Sequence, residues 1–460
     1  MQTIMKIIFR SRLFPVAVQT MLLLGSVAVI WFSMGVAAQP GVKPKLFAQT
    51  QLATFLVWGI WLPLLIVVTV FFGRIWCAVC PLELVQKTGS RFGKMVFKKT
   101  FSLPTILRSG ITGVLIYSVL LYSVIAMRLP QIPGNLATLL ISLVAFAFLS
   151  GVFFGNRTFC NALCPASMLL RALGRRGMIR IRKDSGSLGA PSSEPERHGA
   201  PMCPSRLNPR RLKDSSPCIL CAQCVKADPA LIPTVRQMPA IPDDDWQDYG
   251  WPVTVLAFFL SGFVIEHMFQ VWPTGNAFFM TPPNAAKFAL NLQAFSGAVD
   301  GIWSMLVVPG VIWLAACAAY RLTRGDGGFG DALKALSLPV MTILTGAHVI
   351  LSMEKFSKWS IHFQAAIGNF QERLAAHPFP DFSLIFMSAV GKGKQPGAMV
   401  EPMLFSRSIM FAASLLMIVA SMYSCMEMKQ NKNGNEYGLV VAIALLFSIF
   451  IITPKLTALL

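Results

Sequence analysis

Long apolar runs separated by short polar segments dominate the chain. A membrane-spanning helix needs about 20 mostly apolar residues, and nine stretches of this kind can be read along the sequence. Lipid offers the backbone no hydrogen-bonding partners, so each spanning stretch is expected to be helical. The pattern therefore predicts an all-α polytopic membrane protein with about nine transmembrane helices, near residues 13–37, 52–72, 104–126, 136–154, 251–271, 302–320, 335–353, 408–425 and 438–457.

The composition agrees with a membrane protein. Of the 460 residues, 55% are hydrophobic and only 13% are charged, whereas about 25% of the residues of a soluble domain are charged. A large water-soluble core is therefore excluded as the main body of the protein. The first apolar stretch, from Leu13 to about Ala37, exceeds the roughly 7–15 apolar residues of a signal peptide, so we expect it to remain as the first span.

The formal net charge of +20 is unevenly distributed. Lys and Arg cluster in the segments 74–108 and 171–213, whereas the short loops at the other ends of the predicted spans contain few. Cytoplasmic loops carry such an excess of Lys and Arg, so the N-terminus is predicted to be cytoplasmic and the C-terminus, after nine spans, to lie outside. Because the basic residues flank membrane spans, the lipid bilayer is the expected partner and nucleic acid is not.

Polar interruptions divide the chain into three parts. Residues 1–170 consist of two two-span units, each ending in a Cys-Pro motif. Residues 171–250 combine a linker rich in Ser, Gly and Pro with a small cytoplasmic ferredoxin-like segment. Residues 251–460 form a five-span membrane domain, and its outer loop at 354–407 is long enough to contact a redox partner protein.

The two Cys-Pro motifs resemble each other closely. FFGRIWCAVCP begins at Phe71 and FFGNRTFCNALCP begins at Phe153, each at the cytoplasmic end of a predicted span. If the two units pack as symmetric partners, their four thiols converge, and four thiolates are what one [4Fe–4S] cluster needs. Arg74 and Arg157 would offset the negative charge of these thiolates. The sequence predicts that one cluster is bound by Cys77, Cys80, Cys160 and Cys164.

A third motif, CILCAQC, has the spacing C-x2-C-x2-C of the first three ligands in a bacterial ferredoxin. The position expected for the fourth ligand holds Asp228, but a separate Cys-Pro pair begins at Cys203. Zinc is the competing metal, since four Cys can also make a structural zinc site. An exchange of Cys203 with Cys80 or Cys164 is a further alternative. The predicted ligands of the second [4Fe–4S] cluster are Cys203, Cys218, Cys221 and Cys224.

Three ionisable residues lie inside predicted spans of the C-terminal domain, and such residues suggest function because their burial in lipid is costly. Glu266 and His267 end the fifth span, and His348 lies in the seventh. The two histidines are candidates for the axial ligands of a haem b. Alternatively, Glu266 and a histidine accept protons from a quinol, or all three residues are inert. Cys317 and Cys425, each alone, are expected to have no role.

Over about residues 50–230, the chain resembles the membrane polyferredoxin family that includes NapH of periplasmic nitrate reduction, NosR of nitrous oxide reduction and the ferredoxin-type protein of methylamine utilisation. These proteins share two C-x3-C-P motifs at cytoplasmic helix ends, followed by ferredoxin-type clusters. RTFCNALCP matches the C-x3-C-P motif, whereas RIWCAVCP is one residue shorter. The five spans after residue 250 have no counterpart in this resemblance.

The resemblance implies a multi-pass protein of the bacterial inner membrane. It implies electron transfer between the quinone pool, two [4Fe–4S] clusters on the cytoplasmic face, and a partner redox enzyme of a respiratory chain. An alternative function is that of an accessory, assembly or redox-sensing protein that serves the maturation of a metalloenzyme. A stable complex with a catalytic subunit would favour the first function, and a defect in enzyme assembly after deletion would favour the second.

Overall fold

The computed structural model describes most of the chain up to residue 376. The described residues are 2–34, 36, 44–98, 101, 103–104, 107, 109–126, 132–154, 157–183, 203–205, 207–210, 212, 216–235, 250–270, 273–324, 328–376 and 419. They form two compact units. The first consists of residues 1–31, 65–113 and 138–245, and the second of residues 32–64, 114–137 and 246–460.

Helices make up almost all of the described structure. In chain order the helices are α1 (Gln2–Arg10), α2 (Val16–Ser33), α3 (Pro44–Thr50), α4 (Leu52–Phe72), α5 (Ile75–Val79), α6 (Pro81–Phe97), α7 (Ile111–Ala126), α8 (Pro133–Phe154), α9 (Phe159–Leu163), α10 (Pro165–Leu173), α11 (Gln223–Ala227), α12 (Trp251–Phe269), α13 (Pro273–Phe279), α14 (Thr281–Ala289), α15 (Ser296–Ile302), α16 (Val308–Arg324), α17 (Phe329–Ser360) and α18 (Phe363–Ala376). The strands are β1 (Ile179–Lys183) and β2 (Leu231–Val235). Turns of π-helix occur at Phe55–Trp61, Phe159–Leu163 and Trp303–Val307.

Several of these helices could cross a membrane. Within the described residues, six are long and apolar enough: Val16–Ser33, Leu52–Phe72, Pro133–Phe154, Trp251–Phe269, Gln293–Leu322 and Phe329–Ser360. The predicted span at 104–126 corresponds to the shorter apolar helix α7. The predicted spans at 408–425 and 438–457 lie outside the described residues, so the total of nine stays a prediction.

The predicted outer loop at 354–407 begins as helix rather than as irregular chain. Helix α17 continues to Ser360, and α18 follows at Phe363–Ala376. Residues 377–407 lie outside the described part of the chain. Within the described residues, this segment therefore consists of two consecutive helices.

The polar part of the first unit is built around a two-stranded sheet. Strand β1 pairs antiparallel with β2, with Ile181 opposite Pro233, and the loop between them carries the third cysteine motif and α11. The small core consists of Phe9, Ile179, Ile181, Leu220, Ala222, Cys224, Val225 and Leu231. This arrangement fits a small cluster-binding segment, although a ferredoxin-like fold stays a prediction.

Helix α1 belongs to this small core, which the apolar pattern of the sequence did not predict. Its Phe9 is buried to 2% exposure and stacks on Phe14 with ring centroids 5.1 Å apart. Its Arg10 donates a hydrogen bond to the Pro229 carbonyl at 3.0 Å. The N-terminal helix is thus fixed to the cysteine-bearing segment, and both must lie on the same side of the membrane.

Helix α6, which follows the first Cys-Pro motif, packs directly on the end of α8. Three glycines make this contact possible: a Cβ at Gly89 or Gly93 would overlap the carbonyl oxygen of Phe148 or Val152, and one at Gly151 would overlap the Gln86 carbonyl. Small residues four apart allow helix backbones to approach closely. The contact joins the helix after one motif to the span before the other.

The second unit is organised around α12 and α17. The face of α12 that carries Leu256, Leu260 and Val264 is fully buried, and α12 contacts α17 more extensively than any other helix. The Trp313 indole donates a hydrogen bond to the Ser261 hydroxyl at 3.1 Å. This packing brings the predicted ionisable residues of the two helices into one region.

The glycine contact between α6 and α8 can be tested by substitution. Gly93→Ala should destabilise the protein by about 1–3 kcal/mol, because the added methyl group has no space and the backbones must separate. Thermal unfolding of the purified protein in detergent measures the effect. Gly25→Ala is the matched control, because no atom lies within 4 Å of its added Cβ. Equal stability of the two variants would contradict the packing.

Candidate functional site

Each Cys-Pro motif places its second cysteine at the start of a new helix. Cys80 and Cys164 have nearly the same extended backbone, with φ and ψ of −62° and 128° and of −65° and 124°. The following proline disfavours a helical conformation for the cysteine and is itself well suited to the first helical position. The motif therefore ends one helix and begins the next, with a thiol at the positive end of the helix dipole.

The two motifs differ in length by one residue, and the extra residue of the longer motif is accommodated within a single helical turn. The shorter motif spans the α-helical turn α5, whereas the longer one spans α9, which is π-helical. In α9 the Cys164 N–H donates to the Phe159 carbonyl at 2.7 Å. Because a π-helical turn holds one more residue than an α-helical turn, both motifs present two thiols about one turn apart.

The four cysteines of these motifs lie close enough to interact electrostatically. Burial, followed by the charges of Cys164 and Cys77, raises the pKa of Cys80. Burial, followed by Cys80 and Cys164, raises the pKa of Cys160 well above its usual value. Burial, followed by Cys77, raises the pKa of Cys164 to about 11. The four predicted thiols of the two motifs therefore lie near one another.

Backbone N–H groups act in the opposite direction at the two helix starts. The N–H groups of Leu82 and Glu83 lower the pKa of Cys80 against the effect of burial. Those of Ala166 and Ser167 do the same for Cys164. Hydrogen bonds to the charged form of a group favour that form, so these donors suit thiolates that bind metal.

The other four predicted ligands line one cavity. Its walls include Cys203, Cys218, Cys221 and Cys224 together with apolar side chains such as Ile181 and Leu207. Burial, with smaller contributions from the charges of Cys221, Cys224 and Cys203, raises the pKa of Cys218 to about 12. Burial, Cys221 and Cys203 raise the pKa of Cys224 to about 12.

The backbone of the third motif is shaped to receive an anion. Leu220 and Ala222 have positive φ angles of 53° and 62°, and both are fully buried. This conformation costs about 1–2 kcal/mol for a residue other than glycine. Alternating left- and right-handed residues point successive N–H groups inward and form the concave nests seen at many Fe–S sites, and here the Leu220 N–H donates to the Cys218 sulfur at 3.4 Å.

Asp228, the alternative fourth ligand, is engaged elsewhere. Its Oδ2 accepts a hydrogen bond from Arg210 at 2.9 Å, and its Oδ1 accepts one from the Ala230 N–H at 2.9 Å. With hydrogen bonds at both carboxylate oxygens, Asp228 holds the loop before β2 in place. The cavity wall contains Cys203 instead.

Two buried arginines occupy equivalent positions, three residues before the first cysteine of each Cys-Pro motif. Arg74 is 3% and Arg157 is 8% exposed. Arg74 donates to the carbonyls of Ser216 at 3.2 Å and Cys160 at 3.5 Å. Among the described residues, Arg74 Nε and Arg157 Nη1 are buried without a hydrogen-bond acceptor. Sulfur-rich anionic clusters would supply acceptors and charge at these places, so the residues fit the predicted cofactor.

Two polar residues of α6 organise the second motif, and sequence reasoning missed both. Glu83, 4% exposed, pairs with Arg157 at 2.6 Å and accepts a 2.6 Å hydrogen bond from Gln19. The Gln86 amide oxygen accepts from the N–H groups of Thr158 and Phe159, at 2.7 and 2.8 Å. Polar residues within a turn or two after a Cys-Pro pair were a signal that could have identified them.

No group of three His, Cys, Asp or Glu side chains in the described part of the chain is arranged to hold a single metal ion. A zinc ion requires its four sulfurs within about 2.3 Å of one point, whereas the thiolates of a cubane bind different irons.

The nine described cysteines form no disulfide bonds. They are Cys77, Cys80, Cys160, Cys164, Cys203, Cys218, Cys221, Cys224 and Cys317.

The second unit brings the three predicted ionisable residues together. The Phe263 ring lies against both imidazoles, with centroids 4.1 Å from His267 and 6.5 Å from His348. Glu266 Oε2 is 2.9 Å from His267 Nδ1, and Gln270 donates to the other carboxylate oxygen.

The backbone selects the tautomer of both histidines. The Nδ1 atoms of His267 and His348 lie 3.1 and 2.9 Å from the carbonyls of Phe263 and Leu344. If each Nδ1 is the N–H donor, each Nε2 is an unprotonated acceptor. An imidazole in this state can bind a metal or accept a proton.

Comparison with known protein families gives one match, the 4Fe-4S binding domain, at residues 54–101 and 136–183. Each match begins in a predicted span and includes one Cys-Pro motif, so one domain model fits the chain twice. The third cysteine motif lies outside both matches. No curated protein and no solved structure matches the chain significantly. The match supports a [4Fe–4S]-binding protein with the capacity for electron transfer.

The role of Gln86 in shaping α9 leads to a testable prediction. Gln86→Leu should leave the Thr158 and Phe159 N–H groups buried without an acceptor, at a cost of about 1–3 kcal/mol each. We expect a lower unfolding temperature and a loss of iron from the protein. Gln86→Glu keeps an acceptor oxygen and is the control that should retain both properties. A Gln86→Leu protein as stable and iron-rich as the wild type would contradict this role.

Proposed function

We propose that this protein is an integral-membrane electron carrier with two [4Fe–4S] clusters, which exchanges electrons with the quinone pool or with a partner redox enzyme. When bound, such clusters supply one-electron transfer. The observation that carries the proposal is the gathering of eight cysteines into two groups of four within the first unit. The family match at both Cys-Pro motifs supports iron–sulfur as the chemistry.

The eight ligands are divided between the clusters according to the electrostatic interactions between their thiols. We assign one cluster to Cys77, Cys80, Cys160 and Cys164, since the thiols whose charges act on Cys80, Cys160 and Cys164 all come from this group. The second cluster is assigned to the cavity group. Its support is that the charges acting on Cys218 and Cys224 come from Cys221 and Cys203. The exchange of Cys203 with Cys80 or Cys164 has no such support.

We place both clusters on the cytoplasmic face of a bacterial inner membrane. The basic segments that flank the cysteine motifs support this orientation, because Lys and Arg are enriched in cytoplasmic loops. The attachment of α1 to the third motif supports a cytoplasmic N-terminus in the same topology. This arrangement is that of the NapH- and NosR-like proteins, and we infer a similar place between quinone and a respiratory enzyme.

We propose that Glu266, His267 and His348 form the quinol site. A quinol that gives up two electrons also gives up two protons, so its site needs bases as well as an electron acceptor. Glu266 is 6% exposed and lies beside His267, and the free Nε2 of each histidine is a further base. The Phe263 ring lies near both imidazoles and offers an aromatic surface on which a quinol ring could pack.

The ligand partition predicts two separable losses of iron. Cys221→Ser and Cys160→Ser should each remove about half of the iron and sulfide, because each variant breaks one cluster of two. Anaerobic purification with iron and sulfide analysis and EPR measures the outcome, with one cluster signal remaining in each variant. Complete loss of iron from either variant would contradict two separate sites.

Cys317→Ser is the matched control for these substitutions. Cys317 lies in α16, is fully buried, and belongs to neither group of four. A serine hydroxyl in a membrane helix can bond the carbonyl one turn earlier, as Ser118 does to Val114 at 2.9 Å. The Cys317→Ser protein should therefore keep its full iron content, and a loss of half its iron would undermine the assignment.

The quinol site predicts that cluster reduction by quinol depends on Glu266. Glu266→Gln should slow this reduction by about 10²-fold or more, the contribution of a positioned base, while the iron content stays unchanged. Stopped-flow bleaching of the clusters by a soluble quinol measures the rate. Glu354→Gln is the control. This glutamate forms an ion pair with the exposed Lys358.

Two results would separate the alternatives. A haem spectrum that disappears in His267→Ala and His348→Ala proteins would replace the quinol site with a haem b site. Intact clusters that no quinol reduces in the wild-type protein would remove the quinone from the proposal and favour the accessory or assembly function.

A further inference from the structure

Arg157 has an unusual backbone for its residue type. Its φ angle is 53°, in the left-handed region, which costs about 1–2 kcal/mol for a residue with a side chain. At the equivalent place in the first motif, the positive φ of 76° belongs to Gly73, one residue before Arg74. Strained residues that the surrounding structure holds in place are concentrated at functional sites. The strained backbone therefore suggests that the contacts of the Arg157 side chain have a function.

The Arg157 guanidinium lies near cysteines of both groups. Burial lowers its pKa, but the charges of Cys221, Glu83 and Cys160 together raise it above its usual value. Of these partners, Cys221 belongs to the cavity group and Cys160 to the Cys-Pro group. Nη2 is taken by Glu83 at 2.6 Å, whereas Nη1 is buried with no acceptor among the described residues. A side-chain hydrogen bond to Cys221 also contributes to the raised pKa, so the guanidinium contacts a predicted ligand of the cavity group.

The repeat is asymmetric around its two arginines. Glu83, which pairs with Arg157, is the third residue after Cys80, and the equivalent residue after Cys164 is Ser167. No carboxylate pairs with Arg74 in the described structure, and its hydrogen bonds go to two backbone carbonyls. Of the two arginines, Arg157 is the one that pairs with a carboxylate and also interacts with thiols of both groups.

We propose that Arg157 is a shared positioning residue that joins the two cluster sites and raises the reduction potential of both. This inference rests on the proposed two-cluster function. Net charge and hydrogen bonds to sulfur set the potential of a cluster, and a buried cation favours the reduced, more negative state. Arg157 thereby holds the two sites in one electrostatic environment. An electron that passes between the sites oxidises one cluster and reduces the other, and no proton has to move.

Redox titration monitored by EPR on the anaerobic full-length protein tests the proposal. R157Q should lower the midpoint potentials of both clusters, and R157K, which keeps the charge but not the planar fork of donors, should lower them less. E83Q leaves the Arg157 charge uncompensated and should raise the midpoints of both clusters. The charge of Glu83 itself acts on Cys160, so the cluster of Cys203, Cys218, Cys221 and Cys224 reports the effect of Arg157. Opposite signs in R157Q and E83Q would not arise from a general loss of structure.

Arg91→Gln is the matched control, since Arg91 is exposed on the same helix as Glu83 and its loss should move neither midpoint. An R157Q protein with both clusters present and either midpoint unchanged would overturn the proposal. If R157Q loses iron, E83Q decides: an upward shift at the cluster of Cys203, Cys218, Cys221 and Cys224 supports the link, and no shift at that cluster refutes it. A wild-type protein without clusters would instead overturn the proposed function, so the two failures are distinguishable.

Discussion

Thiolates that share a small buried volume repel one another, and burial by itself favours their neutral form. The first unit contains two such volumes, and much of its structure offsets this cost. Helix starts at Cys80 and Cys164, the left-handed residues Leu220 and Ala222, and two buried arginines all present positive charge or N–H groups to sulfur. The same donors that the protein keeps in place would stabilise anionic clusters, so the geometry is prepared for metal before it binds.

The assignment of the cysteines to two groups came from their spacing and from the repeat of the Cys-Pro motif, and it stays a prediction. C-x2-C-x2-C and paired Cys-Pro motifs reflect distances along the backbone that a cluster imposes. The π-helical turn at Phe159–Leu163 could not be predicted, because a one-residue insertion can be absorbed in several ways. Glu83 and Gln86 were also missed, since their partners lie far away in sequence and depend on the packing of α6 against α8.

For the membrane helices, too, features that depend on local sequence were predicted and features that depend on distant residues were not. Apolar runs predicted the described spans well, because hydropathy is a local property. The attachment of α1 to the small core was missed, since nine amphipathic residues before a span give no indication of their partner. The proximity of His267 and His348 to the same Phe263 ring was only a hypothesis until the packing of α12 and α17 was known.

The metal content of the wild-type protein tests the central claim most directly. Two [4Fe–4S] clusters require about eight irons and eight inorganic sulfides per chain, in a brown protein whose cysteine thiols resist alkylation until the metal is removed. Quantification of iron and acid-labile sulfide after anaerobic purification should give these values. A colourless protein with zinc or no metal, and with all eight thiols open to alkylation, would contradict the account.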